Sequence, residues 1–116
     1  MSDLLTDLAS KYCVDKGTGN YPSPTFYNVP EIRYPQSFTP FYSKHLESCR
    51  EEFTKVLEIG VLFGNSLMLW DEYFPNAQIH GADIDLSRVL SCAKNFPMLR
   101  IDQSKRSDLK RLISVY

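Results

Sequence analysis

Two short apolar runs, each closed by acids or glycines and separated by one helical turn pattern, constrain this chain more than anything else in it. The first reads "KVLEIGV" and passes through Leu62, Phe63 and Gly64 into "NSLMLWDEYF". The second reads "AQIHGADI" and ends in Asp83 and Asp85. Short apolar runs with turn signals at both ends predict buried strands. Leu67, Trp70 and Phe74 recur along one helical face between them, and Pro75 predicts the helix end. A third short run, "PMLRID", follows a stripe of Leu86, Val89, Leu90 and Ala93, which predicts another helix capped by Asp85 or Ser87. The last stripe is Leu109, Leu112, Ile113 and Tyr116, with Ser107 as the expected cap. Strands that alternate with helices predict an α/β fold with a parallel sheet and right-handed crossovers.

Upstream, residues 2–12 read as a short helix. Leu5, Leu8, Ala9 and Tyr12 share a face, and Ser2 can cap it. Four of the seven prolines (Pro22, Pro24, Pro30 and Pro35) then fall within residues 13–38, with Gly17, Gly19 and Asn20, which predicts a long loop. Thr39-Pro40 reads as an N-cap followed by proline in the first helical position. Tyr42, His45, Leu46, Cys49 and Phe53 continue as one stripe, which makes His45 a core or boundary side chain.

The chain of 116 residues has room for one domain, and 43% hydrophobic content supports a packed core. The division expected is an N-terminal helix and Pro-rich loop over 1–38 and a nucleotide-type binding unit over 39–116. With a net charge of -1 and scattered basic residues, neither a nucleic-acid surface nor an anionic membrane surface is expected. No secretory or membrane-spanning pattern is read, and Cys13, Cys49 and Cys92 show no metal or CxxC spacing, so a cytoplasmic protein with reduced thiols is expected.

Ligands of open α/β sheets sit beyond the carboxyl ends of the strands. There the sequence places Glu58, Gly60 and Gly64 after strand one, Asp83 after strand two, and Asp102 and Gln103 after strand three. The glycine spacing is E-x-G-x-x-x-G rather than the dinucleotide G-x-G-x-x-G, with Val61 and Leu62 where a central glycine would admit a pyrophosphate. An acid before the first glycine repels phosphate and suits a cation. Asp83 can accept from ribose hydroxyls, and Asp102 from an exocyclic amine. Three strand-end acids therefore favour S-adenosylmethionine, which carries a sulfonium, an ammonium and no phosphate, over a nicotinamide dinucleotide, which stays the weaker alternative.

The stretch "VLEIGVLFGNSLMLWDEYFPNAQIHGADID" resembles class I S-adenosylmethionine-dependent methyltransferases, and within them the macrolide sugar O-methyltransferases and cephalosporin-hydroxylase-like proteins. "KYCVDKGTG" resembles that family's K-Y-x-T-D-K-G loop, with Val14 in place of threonine. "FTPFYSKHL" resembles its Y-T-P-x-Y helix start, with Phe38 in place of tyrosine. The stretch "NYPSPTFYNVPEIRYPQS" reads as an insertion between the two. The resemblance implies a partial Rossmann-like domain with parallel strands in order 3-2-1, ending before strand four. It implies methyl transfer to a hydroxyl of a small molecule or sugar. Gly60, Gly64 and Ser66 would line the methionine part of the cofactor, Asp83 the ribose, and Asp102 and Gln103 the adenine. Asp15 and Lys16 read equally as site residues or as a turn ion pair.

In the family the metal ligands and catalytic histidine follow strand four, so a divalent metal is expected only with that later part. No catalytic residue is assigned, since His80 lies inside a strand and His45 inside a helix. A non-catalytic remnant or interaction module is the alternative. Strand one would also present an unpaired edge, open to self-association or to a second chain.

Overall fold

The computed structural model describes residues 3–17 and 37–116. The Pro-rich stretch and its insertion lie largely outside the described residues, as does Ser2. Helix α1 spans Leu4–Lys11 and is capped by Asp3, not Ser2. Asp3 Oδ1 accepts from the Thr6 amide at 2.8 Å and Oδ2 from the Thr6 hydroxyl at 2.9 Å. Leu5, Leu8 and Ala9 are buried along its inner face.

Helix α2, Thr39–Leu46, begins one residue earlier than its Thr-Pro signal implies. Thr39 is its first helical residue rather than its cap, because its hydroxyl is committed elsewhere: buried, it bonds the Thr6 hydroxyl at 2.8 Å and ties α2 to α1. The expected long stripe is cut short as well. A 3-10 turn over Glu47–Cys49 breaks the 3.6-residue period after Leu46. Thr39 and Ser43 are the buried positions of α2. His45 is exposed against the Phe41 ring at 4.7 Å, so it is neither a core nor a boundary histidine. Arg50 then closes the corner, donating to the Tyr73 carbonyl at 2.9 Å.

Strands β1 (Lys55–Ile59), β2 (Gln78–Asp83) and β3 (Met98–Arg100) form a parallel sheet in the order β1-β2-β3. Glu58 pairs with Gly81 and Ile59 with Ala82; Asp83 pairs with Arg100. The alternation of the strands sorts side chains to two faces. Val56, Glu58 and Ile79 face helices α1 and α3, where α3 spans Asn65–Tyr73. Leu5, Leu8, Leu67, Trp70, Tyr73 and Phe74 complete that main core. Ala82, Ile101 and Leu112 form a smaller core on the opposite face, under helix α4 (Arg106–Val115).

The helix expected over Leu86–Ala93 does not form; that segment holds only a 3-10 turn at Ser91–Ala93. Its apolar residues serve a different purpose. Val89 and Ala93 pack against Gly64, and the Leu90 amide donates to the Phe63 carbonyl at 2.9 Å. Asp85 accordingly closes a turn, taking the Ser87 amide and hydroxyl at 2.9 and 2.6 Å, rather than capping a helix. Helix α4 starts at Arg106, so Ser107 lies inside it. Among the described residues no helix is long and apolar enough to cross a membrane.

Candidate functional site

The turn from β1 to α3 is built on two glycines with positive φ, +94° at Gly60 and +90° at Gly64, a conformation that favours glycine. Their surroundings differ. A Cβ on Gly60 would meet nothing within 4 Å, whereas one on Gly64 would lie 2.5 Å from Ala93 Cβ. Gly60 thus presents bare backbone to open space, and Gly64 lets the 86–93 segment close against the turn.

Asp83 braces this turn from β2. Its Oδ2 accepts the Val61 and Leu62 amides at 2.8 and 2.9 Å, and its Oδ1 the Asp85 amide at 3.2 Å. Burial pushes its carboxyl up, but the backbone donors, Leu62 foremost, outweigh that and hold it below the usual range. Asp102 sits at the end of β3, where its Oδ1 takes the Ser104 amide at 3.0 Å and hydroxyl at 2.6 Å. Those bonds, led by the hydroxyl, lower its carboxyl too.

Gly60, Asp83, Asp102 and Gln103 come together around one cleft of about 240 Å³, with Ile59, Ile84 and Ile101 as its apolar wall. Its size and place, beyond the carboxyl ends of three parallel strands, suit the nucleoside of a ligand. Both acids keep lone pairs beyond those used in the turns. Glu58, Gly64 and Ser66 do not line this cleft. Glu58 points to the α3 face, where its Oε2 accepts the Trp70 indole N–H at 2.5 Å. Its Oε1 is buried and has no hydrogen-bond partner. Burial pushes this carboxyl above its usual range, against the opposing charge of Lys16 and the polar hydrogens of Trp70 and Ser66. Lys16 reaches Ser66 Oγ at 3.2 Å.

Spacing alone missed the Trp70–Glu58 bond and the reach of Lys16 to Ser66. Trp70 read as a core contact, which it also is. Lys16 lies 50 residues before Ser66 and is brought there only by the packing of α1 on α3. Among the described residues no group of three or more His, Cys, Asp or Glu side chains could hold a metal ion. On the opposite sheet face, Leu57, Ile59, His80, Leu109, Ile113 and Tyr116 line a second, apolar groove of about 530 Å³. The His80 ring lies 4.3 Å from that of Tyr116, and both its nitrogens are buried without partners.

A parallel β1-β2-β3 sheet, an acid-glycine turn braced by the acid of β2, and a cleft at the strand ends make up the first part of a Rossmann-like methyltransferase fold. No family model matches the chain. Individual proteins do match. Mycinamicin VI 2''-O-methyltransferase of Micromonospora griseorubida is 38% identical over 65 residues, which is 50% of this chain and 16% of that enzyme. L-olivosyl-oleandolide 3-O-methyltransferase of Streptomyces antibioticus is 38% identical over 58 residues, 44% of this chain and 15% of that one. Demethylmacrocin O-methyltransferase of Streptomyces fradiae is 38% identical over 55 residues, covering 41% and 14%.

Among solved structures, the MycE methyltransferase of the mycinamycin pathway in complex with Mg and SAH superposes with a TM-score of 0.64 at 29% identity. The match takes in all of this chain and 25% of that one. The same enzyme with Mg, SAH and mycinamycin VI matches 68% of this chain and 22% of that one, with a TM-score of 0.56 at 38% identity. The chain is related to the S-adenosylmethionine-dependent sugar O-methyltransferases of macrolide biosynthesis, and it spans a quarter or less of the relatives it matches.

Proposed function

We propose that this chain binds S-adenosylmethionine as the cofactor-binding part of an O-methyl transfer to a hydroxyl of a sugar or other small molecule. The observation that carries the reading is the pairing of Gly60, whose backbone opens onto the strand-end cleft, with Glu58, which keeps a buried oxygen unpartnered beside the same turn. A buried, unpaired carboxylate oxygen costs free energy unless a donor or cation meets it. A nicotinamide dinucleotide would place a pyrophosphate against this acid and against Val61, where its fingerprint needs glycine. When bound, the cofactor supplies an electrophilic methyl group on its sulfonium. The chain's own residues hold it: Asp83 and Asp102 offer acceptors to ribose and adenine, with Gln103 beside them, and Ser66 and Gly64 shape the methionine end.

Binding without turnover is the expected behaviour of these 116 residues. Methyl transfer needs a positioned acceptor and a base, and no metal-holding cluster is present among the described residues. Parallel calorimetric titrations with S-adenosylhomocysteine and NAD test the cofactor. Tighter binding of S-adenosylhomocysteine is expected, and Asp83→Ala should weaken it by about 1–3 kcal/mol. Tighter binding of NAD would overturn the reading. Labelled cofactor with a panel of sugars should give no transfer above background.

A further inference from the structure

We propose that this chain pairs with a second copy of itself through strand β1, antiparallel and in a single register, with Leu57 facing Leu57 across a two-fold axis. The existing ladder defines the groups free to do this. The Thr54 carbonyl accepts from the Gln78 amide at 2.9 Å, and the Gly60 amide donates to the Ala82 carbonyl at 2.8 Å. Backbone groups alternate sides along a strand, so Thr54, Val56, Glu58 and Gly60 are the residues that bond β2. The amides and carbonyls of Lys55, Leu57 and Ile59 therefore face away from β2, and among the described residues no other strand meets them. Their side chains share the α4 face, where all three are exposed and line the apolar groove. The opposite edge of the sheet is closed by its own side chains. Strand β3 is only three residues long, and its outward carbonyl at Arg100 accepts from the Arg111 guanidinium at 2.7 Å. A short edge blocked by charge resists association, whereas a bare apolar one templates it.

A second β1 fits this edge because the edge is complementary to itself. With Leu57 on the axis, Lys55 of each copy faces Ile59 of the other. Each facing pair exchanges two hydrogen bonds, so every outward amide and carbonyl of the three residues is used on both copies. A register shifted by one residue would aim these groups at backbone already bonded to β2, and a shift by two would leave one end unpaired. Charge selects the orientation. Parallel pairing would set Lys55 against Lys55, and like charges directly opposite destabilise a ladder. Antiparallel pairing instead carries each Lys55 to the Ile59 end of the other copy, where Asp83 and Asp102 border the strand-end cleft that Ile59 also lines. Lys55 has no salt bridge of its own among the described residues. The axis stands perpendicular to the sheet, so the two α4 faces lie on one side and Leu57 packs on Leu57 between the two apolar grooves. One edge is consumed per copy, and the assembly closes at two.

Sedimentation equilibrium and site-directed cross-linking test the pairing and its register. The full chain should sediment as a dimer at micromolar concentration. Leu57→Pro removes an amide that makes no bond to β2, so the sheet is kept while both central hydrogen bonds of the dimer are lost. The dissociation constant should rise about 10- to 100-fold with the far-ultraviolet circular dichroism unchanged. Cross-linking reads the register without relying on that variant, in a background of Cys49→Ser and Cys92→Ser. Facing hydrogen-bonded residues have Cα atoms about 5.5 Å apart, within disulfide range. Leu57→Cys should therefore form a covalent dimer with oxidised glutathione. Lys55→Cys and Ile59→Cys should each fail alone, because their like positions lie about 14 Å apart along the ladder, and should cross-link when mixed. A monomer at tens of micromolar overturns the proposal, whichever other strand the edge then accepts. A dimer in which Lys55→Cys cross-links to itself as readily as Leu57→Cys, or one in which no position of β1 cross-links, overturns it equally.

Discussion

Gly60 and Gly64 carry nearly the same φ, yet their replacement by alanine should have different consequences. At Gly64 the cost has two parts. An alanine held near φ +90° is strained by about 1–2 kcal/mol, as any L-residue is in the left-handed region. Its Cβ would also stand 2.5 Å from Ala93 Cβ and 3.4 Å from Val89 Cγ1. Relieving that overlap means moving the 86–93 segment, at the roughly 1–3 kcal/mol typical of overpacking. The sum, about 2–5 kcal/mol, is a large fraction of the stability of a small domain. At Gly60 only the backbone strain applies, about 1–2 kcal/mol, because nothing lies within 4 Å of the added carbon.

Urea denaturation measures the first quantity and titration with S-adenosylhomocysteine the second. Gly64→Ala should lower the midpoint by the larger amount. Gly60→Ala should stay folded and lose affinity, because its methyl fills the space through which the backbone meets the ligand. Equal destabilisation by the two substitutions would refute the assignment of Gly64 to packing. Gly60→Ala with undiminished affinity would refute the assignment of Gly60 to the ligand.

Glu58→Gln should stabilise the unliganded chain at neutral pH by roughly 0.5–2 kcal/mol, the usual gain when a functional-site cost is relieved, while weakening cofactor binding. The sign follows from burial, which raises the folded-state pKa. The carboxyl's contribution is most favourable below the usual carboxylate range and is lost as pH rises through the raised value, so the wild-type-to-Gln difference should vanish in acid. A pH-independent difference would count against it. Asp83→Asn should act oppositely. Its depressed pKa gives stability above the usual range that is lost as pH falls through the folded value, so acid should erase a difference of about 1 kcal/mol or less after screening by solvent. Thermal melts across pH check both. Strand β1 pairs only with β2 among the described residues, and Leu57 and Ile59 are 41% and 42% exposed beside it. The chain should therefore self-associate at micromolar concentration, and Leu57→Lys should suppress this. A sedimenting monomer of the unmodified chain would sink the edge argument.

Strands β1 and β2 and helix α3 were legible because their apolar periods differ and their ends carry strong punctuation, Gly60 and Gly64 on one side and Pro75 on the other. The 86–93 segment was not. Leu86, Val89, Leu90 and Ala93 have helical spacing, but spacing reports only that four apolar residues need a partner. The partner here is the Gly64 turn, and the Leu90 amide bonds Phe63 instead of a carbonyl of its own segment. The same limit explains His45. Its stripe is apolar in sequence, but α2 meets α1 through the hydroxyl of Thr39, which turns His45 outward. The cap of α1 shifts by one position because the Asp3 carboxylate takes the Thr6 amide, whereas α2 and α4 follow Phe38 and Lys105 with no side-chain cap bond.

The site divides along the same line. Residues at strand ends were readable because a parallel sheet brings its carboxyl ends together whatever the side chains do, and Gly60, Asp83, Asp102 and Gln103 accordingly meet in one cleft. Which atoms remain for a ligand was not readable, because that depends on bonds the fold has already formed. Asp83 spends two acceptor positions on the turn that its own strand faces, and Glu58 gives one oxygen to an indole 12 residues downstream. The oxygen left over on Glu58 and the lysine that α1 and α2 carry toward Ser66 are products of packing. Lys16 lies outside the E-x-G-x-x-x-G stretch that announces the turn, and Glu58 lies within it.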